Sequence, residues 1–407
     1  MKPMSPWQFT LFRLIFGSYL IVHFAQLAPW AAELFGPTGM LPDPSENPTY
    51  GIFLNPLNWP LSEAWITTIV VALTTLSALF TLGLWRKPAA ILLWFGSSAF
   101  FHRNNLISNP SIPYVSLLLI LTTLVPSGEP LSRGKLTPPW SMPRWVYRTA
   151  WILMASGYSF SGFTKLDSPS WLDGTAIRRL LDNPLAHSGW VRDFFLSLPE
   201  SVLSLMTWTI LAAELLFLPL ALWARSRPWI WLTMVAMHLG ILGILDFADL
   251  SLGMLMIHLF TFDPDWLPSK ATSRHLLAFD GECMMCSRAI QFLAAEDQAD
   301  MLRFTPLQSG RGQELEKRAR PSHSIVPAQE SILVDTGSAV FARSSAVLVA
   351  LEVLGGHWRI LAQIGRLIPP RLRDAAYDLV ARHRKDWFRN RQACALPSEA
   401  LRRRLIS

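Results

Sequence analysis

HLLAFDGECMMCSRAIQFL, residues 275–293, decides how the last third of the chain is read. His275 to Phe279 is a short apolar run that fits a strand, and Asp280 and Gly281 break it. From Cys283 to Glu296 the apolar residues recur at helical spacing, with Ile290, Leu293 and Ala294 on one face. Two cysteines, Cys283 and Cys286, stand where strand would turn into helix. There the first thiol meets free backbone amides and the positive end of the helix dipole, which favour its thiolate. The second, one turn later, can attack a mixed disulfide formed on the first. The dipole contributes about 0.3–1 kcal/mol, too little alone to make a strong oxidant, and Glu282 opposes it. Asp280 either relays protons to the pair or ends the strand and caps the turn.

The segments that follow keep the pattern. MLRFTPL (301–307) reads as a strand and QELEKRA (313–319) as a helix. SILVDTGSAVFAR (331–343) reads as two strands around an Asp-Thr-Gly turn, and Ser344 can cap the helix after it. The order β-α-β-α-β-β-α predicts a thioredoxin-like α/β domain over residues 270–407. Zinc is the competing use of two cysteines. A structural zinc site takes four ligands, and beyond the pair the tail offers only the scattered Cys394, His323, His357 and His383. No metal site is expected.

Beyond these readings, DGECMMCSRAIQFL carries a D-x-x-C-x-x-C signature, and FTPLQS, ARSSAVLVALEVLGG and AAYDLVARHRKDWF follow it in order. Residues 275–394 therefore resemble the DCC family of thiol-disulfide oxidoreductases. The resemblance implies that Cys283 and Cys286 are the redox couple, with Asp280 beside them and an unidentified thiol or electron-transfer partner. Cys394 lies where many members also end in a cysteine, as a third redox residue or a bystander. The nearest candidate for a thioredoxin-type proline is Pro327, four residues before Ser331.

Residues 1–269 obey another regime. They hold sixteen of the 18 Trp, no cysteine, and fifteen Lys and Arg against fifteen Asp and Glu. Residues 270–407 hold 21 against 14, so the net charge of +7 belongs to the tail. No recognition motif accompanies the basic residues, which argues against nucleic acid. Those in 371–391, with Arg402, Arg403 and Arg404, suit either a solvated face or the anionic surface of a lipid bilayer. In the first part, apolar runs near 7–28, 63–85, 88–102, 112–126, 145–164, 202–223, 228–246 and 247–262 predict a polytopic α-helical membrane domain of about eight helices. The first, second, fifth and sixth reach the span length of about 20 residues. The first run is long, carries Arg13 and lacks a small-residue cleavage site, so it is expected to stay. Lys2, Arg86, Lys87, Arg133, Lys135, Arg144, Arg225 and Arg227 would then face the cytoplasm, while 29–62, without Lys or Arg, faces outward. An even number of spans returns the tail to the cytoplasm. Lys165, Arg178, Arg179 and Arg192 run against this rule unless 165–200 folds back into the protein.

A charge at bilayer depth costs about 2.5–3.5 kcal/mol on insertion scales. Arg13, His23, His102, Glu214, His238, Asp246, Asp249, His258 and Lys165 therefore each need a reason. His238 and His258 lack the i, i+4 spacing of a helical metal site. Four stretches, LFRLIFGSYLIVHFAQL, HRNNLISNPSIPYVSLLLILTTLVPSG, YSFSGFTKLDSPSWLDGTAI and MHLGILGILDFADLSLGML, resemble the HTTM domain. That is the membrane region shared with vitamin K-dependent γ-carboxylase. The resemblance implies that Lys165, in GFTKLD, is a base acting on an apolar ionisable ligand, that His238 is functional, and that the pocket takes a quinone, a lipid or another apolar substrate. An amine kept from water gives up its proton more readily, whereas an interfacial lysine reaches out to water and Asp167 could hold it charged. The chain departs from the family at Asn109-Pro110-Ser111, where the carboxylase reads Asn-His-Ser, so glutamate carboxylation is not implied. The expected function is a membrane-bound thiol-disulfide oxidoreductase. Its alternatives are a carboxylase-like membrane enzyme with the tail as redox accessory, and a metal-binding assembly protein.

Overall fold

The computed structural model describes residues 4–107, 109–133, 140–281, 284–319, 331–387 and 399–406. Cys283, Cys394, His323 and Pro327 lie outside them. The chain divides into two compact units, Pro3–Phe262 and Asp263–Ser407.

The first unit is helical. Its main helices are α1 (Pro6–Leu27), α2 (Glu63–Thr81), α3 (Arg86–Arg103), α4 (Ser111–Leu124), α5 (Arg144–Lys165), α6 (Glu200–Leu215), α7 (Phe217–Leu222), α8 (Arg227–Ile244) and α9 (Ala248–Thr261). Helix therefore stands over every apolar run read from the sequence. Among the described residues, three stretches are long and apolar enough to cross a membrane: Pro6–Phe35, Glu63–Thr81 and Arg227–Ile244. Trp190–Leu196 and Glu200–Leu215, bent by 105°, make a fourth if they count as one broken span. This differs from the sequence expectation at two runs. Helix α5 is long enough, with 22 residues, but Arg144, Arg148, Lys165 and a run of small polar residues make it too polar. The run 202–223 is broken at Leu216, between α6 and α7. Ser159 bridges that break: its hydroxyl donates to the Leu215 carbonyl at 3.2 Å and accepts from the Leu218 amide at 3.0 Å.

Arg13 is fully buried, and its surroundings explain it. Its guanidinium donates to the carbonyls of Phe80, Thr81 and Leu131, and its Nε stands 3.4 Å from Glu129. Arg86 meets the same carboxylate at 2.8 Å and donates to the carbonyls of Val125 and Pro126. Carbonyls at the ends of α2 and α4 lack helical partners, and the two arginines supply them. The segment 165–200 does fold back. Ile177 and Leu181 pack with Leu203, Ile244 and Leu245, and backbone bonds run from His187 to Ile244 and from Asp246 to Leu185.

The second unit is built on β1 (His275–Phe279), α10 (Met284–Glu296), β2 (Leu302–Pro306), α11 (Gly310–Ala319), β3 (Leu333–Asp335), β4 (Val340–Ala342), α12 (Arg343–Leu354), α13 (Gly356–Leu367) and α14 (Pro370–Trp387). The four strands form one mixed sheet in the order β2-β1-β3-β4. Strand β1 is parallel to β2 and antiparallel to β3, and β3 is antiparallel to β4. A parallel pair needs a crossover, which α10 provides. The β3–β4 turn needs positive φ, which Gly337 adopts at +86°. Alternate residues Leu277 and Phe279 of β1, with Leu302 and Phe304 of β2, bury one face against Ile290, Leu293 and Val349. Among the described residues the element order is the one the sequence predicts.

Two details correct the sequence reading. Ser344 does not cap α12, whose N-cap is Ala342; its hydroxyl donates instead to Asp374. Arg404 is not presented to a surface. It meets Asp297 at 3.4 Å and Asp300 at 3.0 Å, while its carbonyl accepts from the Phe304 amide beside β2.

Candidate functional site

The helical unit gathers its polar residues at the C-terminal half of α5, ASGYSFSGFTK (155–165). Helical spacing puts Tyr158, Ser161 and Lys165 on one face and sets Gly162 on the neighbouring one. Gly162 lies against the end of α6 so closely that a Cβ would come within 2.6 Å of the Leu215 amide nitrogen. That approach brings the last residue of α5 to Glu214. Lys165 Nζ stands 2.6 Å from Glu214 Oε2, donates to Ser161 Oγ at 2.7 Å, and lies 5.0 Å from the centre of the Trp171 ring. Its ion-pair partner is Glu214, not Asp167. Burial of a carboxylate demands such a partner.

Two turns before Lys165 on the same face, the buried Tyr158 hydroxyl bridges two imidazoles. It lies 2.8 Å from His238 Nε2 and 2.7 Å from His258 Nε2. A phenol has one proton to donate, so it donates to one ring and accepts from the other, and the two rings carry complementary tautomers. The Nδ1 atoms of both are buried without a hydrogen-bond partner among the described residues.

These groups share a cavity of about 1020 Å³, large enough for a drug-sized molecule. Tyr158, Ser161, Lys165, Trp171, Glu214 and His238 line it amid an apolar wall that includes Leu117, Met237 and Met254. Lys165 and His238, singled out in sequence segments far apart, thus meet at one cavity. Glu214 and His258 were named only as charges or imidazoles needing a reason. Tyr158 escaped the sequence reading, because a lone tyrosine carries no spacing signal.

In the sheet unit, Asp280 follows the last residue of β1 and is buried. The side chain of Gln308, in the loop after β2, clamps this corner. Its Nε2 donates to Asp280 Oδ1 at 3.2 Å, and its Oε1 accepts from the Gly281 amide at 3.3 Å. Cys286 is the third residue of α10, half-buried and packed against the core beside β1. Cys283 and Cys394 lie outside the described residues. Of the histidines weighed as zinc ligands, His357 is buried in α13 and His383 lies on α14 with Nδ1 2.9 Å from the Leu379 carbonyl. Among the described residues, no three His, Cys, Asp or Glu side chains are grouped to hold a metal ion.

The sequence of the sheet unit reads C-x-x-C at 283–286, and comparison with known proteins fits that signature. Residues 277–390 match the DCC1-like thiol-disulfide oxidoreductase family, and the chain belongs to it. It is 30% identical over 141 residues to the uncharacterized protein YuxK of Bacillus subtilis, covering 34% of this chain and 99% of that protein. It is 26% identical over 137 residues to a chloroplastic DCC family protein of Arabidopsis thaliana, covering 32% of this chain and 78% of that one. No solved structure gives a significant match.

Proposed function

We propose that the chain is a membrane-bound thiol-disulfide oxidoreductase working through Cys283 and Cys286. The observation that carries this reading is the family match over 277–390, within which the sequence reads C-x-x-C at 283–286. Cys283 is the attacking thiol and Cys286 resolves the mixed disulfide. When their S–S bond closes, two electrons and two protons leave the pair, and an acceptor must take both. A quinone held in the helical unit would do so, becoming a hydroquinone.

Membrane residence is supported by how little of the apolar helices is covered. Only 39, 28 and 28% of the most apolar stretches of the three candidate spans is buried inside the protein. Large aromatic side chains such as Trp190, Trp223 and Trp229 are exposed on the same unit. Water would oppose that much open apolar surface, and a bilayer would not. On the loop charges, the sheet unit faces the cytoplasm.

A second reading rests on the cavity of the helical unit. There Lys165 would act as base toward an apolar, ionisable ligand, with Glu214 taking up charge and Tyr158 linking His238 and His258 as a path for the proton. The resemblance to the HTTM domain supports this role, and the tail would then serve as its redox accessory. One experiment separates the two. The protein is purified from membranes, the small molecules that travel with it are identified, and turnover of the one found is measured in wild type and in a variant lacking both Cys283 and Cys286. Loss of turnover favours the dithiol, and survival favours Lys165.

A further inference from the structure

A second cavity, of about 230 Å³, lies elsewhere in the helical unit, and none of the chemistry above uses it. It contains an oriented imidazole. His23 of α1 places Nδ1 2.7 Å from Asp249 Oδ1 at the start of α9. The same carboxylate accepts from the Tyr19 hydroxyl at 2.9 Å and from Asn109 Nδ2 at 2.8 Å. Ser111 secures Asn109 in turn, donating to its Oδ1 at 2.6 Å. Three donors on one carboxylate describe an ionised acceptor, which keeps a proton on His23 Nδ1, so that in the neutral ring Nε2 is the acceptor.

Gly253 makes the arrangement fit, since a Cβ there would come within 2.3 Å of Ser111 Oγ and 3.1 Å of the Tyr19 hydroxyl. An independent feature points to a ligand. Ser97 of α3 lines the same cavity, is 8% exposed, and its hydroxyl has no hydrogen-bond partner among the described residues. A buried hydroxyl left unpaired carries a desolvation penalty that alanine would avoid. Gln26 and Asn104 also line it, Asn104 donating to the Leu34 carbonyl, and the rest of the wall is apolar and aromatic, with Phe24, Phe35, Phe100, Phe101 and Phe247.

We propose that this cavity binds the hydroxyl-bearing end of an apolar alcohol, whose O–H donates to His23 Nε2 while its oxygen accepts from Ser97 Oγ. A carboxylate ligand is disfavoured, because Asp249 already supplies the negative charge beside His23. A plain hydrocarbon would leave both polar atoms unpaired.

The test uses the full chain in detergent and two diazirine probes of equal length, a photoreactive octanol and its analogue without the hydroxyl. The octanol probe should label Phe24 or Phe100, be displaced by 1-octanol, and exceed the analogue at those residues. Ser97→Ala and His23→Gln should each lower that labelling about fivefold, the loss of one net hydrogen bond. Should His23→Gln misfold, Ser97→Ala decides alone, since removing an unpartnered hydroxyl does not cost folding stability. Equal labelling by the two probes, or undiminished labelling in Ser97→Ala, would overturn the proposal and leave His23 and Asp249 a structural pair.

Discussion

Gly162 and Leu215 are so close that the glycine's missing side chain is a condition of the site: a Cβ would stand 2.6 Å from the Leu215 nitrogen and 3.0 Å from the Glu214 carbonyl carbon. Backbone cannot step aside as the tip of a side chain can. Gly162→Val should therefore push α6 from α5, separate Lys165 from Glu214 and destabilise the helical unit by about 1–3 kcal/mol, the usual cost of overpacking. Thermal unfolding in detergent measures it, and Gly162→Ala should fall between valine and wild type. Unchanged melting of the valine variant would mean that the helices are free to separate.

Lys165→Ala removes the partner of a nearly buried carboxylate, so it should cost stability as well as any ligand. Lys165→Ala combined with Glu214→Gln removes both charges and should recover the stability without recovering the ligand. Native mass spectrometry of the purified protein reads the ligand directly. Lys165→Arg keeps the charge but has no neutral form, so it should retain binding and lose turnover if Lys165 is a base. Full turnover in the arginine variant would reduce Lys165 to a fixed positive charge.

The sequence carried the site further than the spans. Lys165 and His238 stood among nine polar residues that needed a reason, the resemblance to the HTTM domain singled them out, and the structure brings both to one cavity. The β-α-β-α-β-β-α order was legible because short strands and amphipathic helices carry different periods. Hydropathy alone did not reveal that α5 is too polar to count as a span or that 202–223 breaks at Leu216. Nor could it pair Arg13 with Glu129 or His23 with Asp249. Those partners lie far apart in the chain, and only packing chooses among the buried charges. Tyr158 shows the limit best, since its meaning depends wholly on two histidines from other helices.

Asp300 offers a test by pH in the sheet unit. A hydrogen bond from Arg303, with the charges of Arg303, Arg404 and Arg274, holds its carboxyl below the usual range, against the opposing effect of desolvation. A depressed carboxylate contributes stability that is fully present above its ordinary value near 4. That contribution fades as pH falls through the lower, folded-state value. Asp300→Asn should therefore narrow the gap between unfolding midpoints at neutral pH and in acid. An identical acid dependence in wild type and variant would show that these arginines do not stabilise Asp300.

The basic residues at helix ends predict the side of the membrane. A reporter fused after Ser407 should behave as cytoplasmic, because Arg86, Lys87 and Arg227 begin helices at ends assigned inward, Arg225 lies just before the latter, and 29–62 has no Lys or Arg. A periplasmic signal would mean that one short helix, with Arg86–Arg103 the first suspect, does not cross.

The dithiol makes the sharpest prediction. Cys286 is half-buried against the core of the sheet unit, poorly placed to meet a partner first, while Cys283 precedes α10 at its N-terminal end. The burial of Cys286 and the thiolate character expected at a helix start both favour the earlier thiol as the attacker. Cys286→Ser should then accumulate mixed disulfides on Cys283, because nothing remains to resolve them, and Cys283→Ser should accumulate none. Non-reducing electrophoresis after acid quenching, followed by mass spectrometry of the trapped species, would give the count and identify the partner. Equal trapping by the two variants would overturn the assignment, making either Cys286 or Cys394 a second attacking thiol, and adding Cys394→Ser to the Cys283→Ser background distinguishes them. If trapping on Cys286 persists there, Cys286 is itself an attacker.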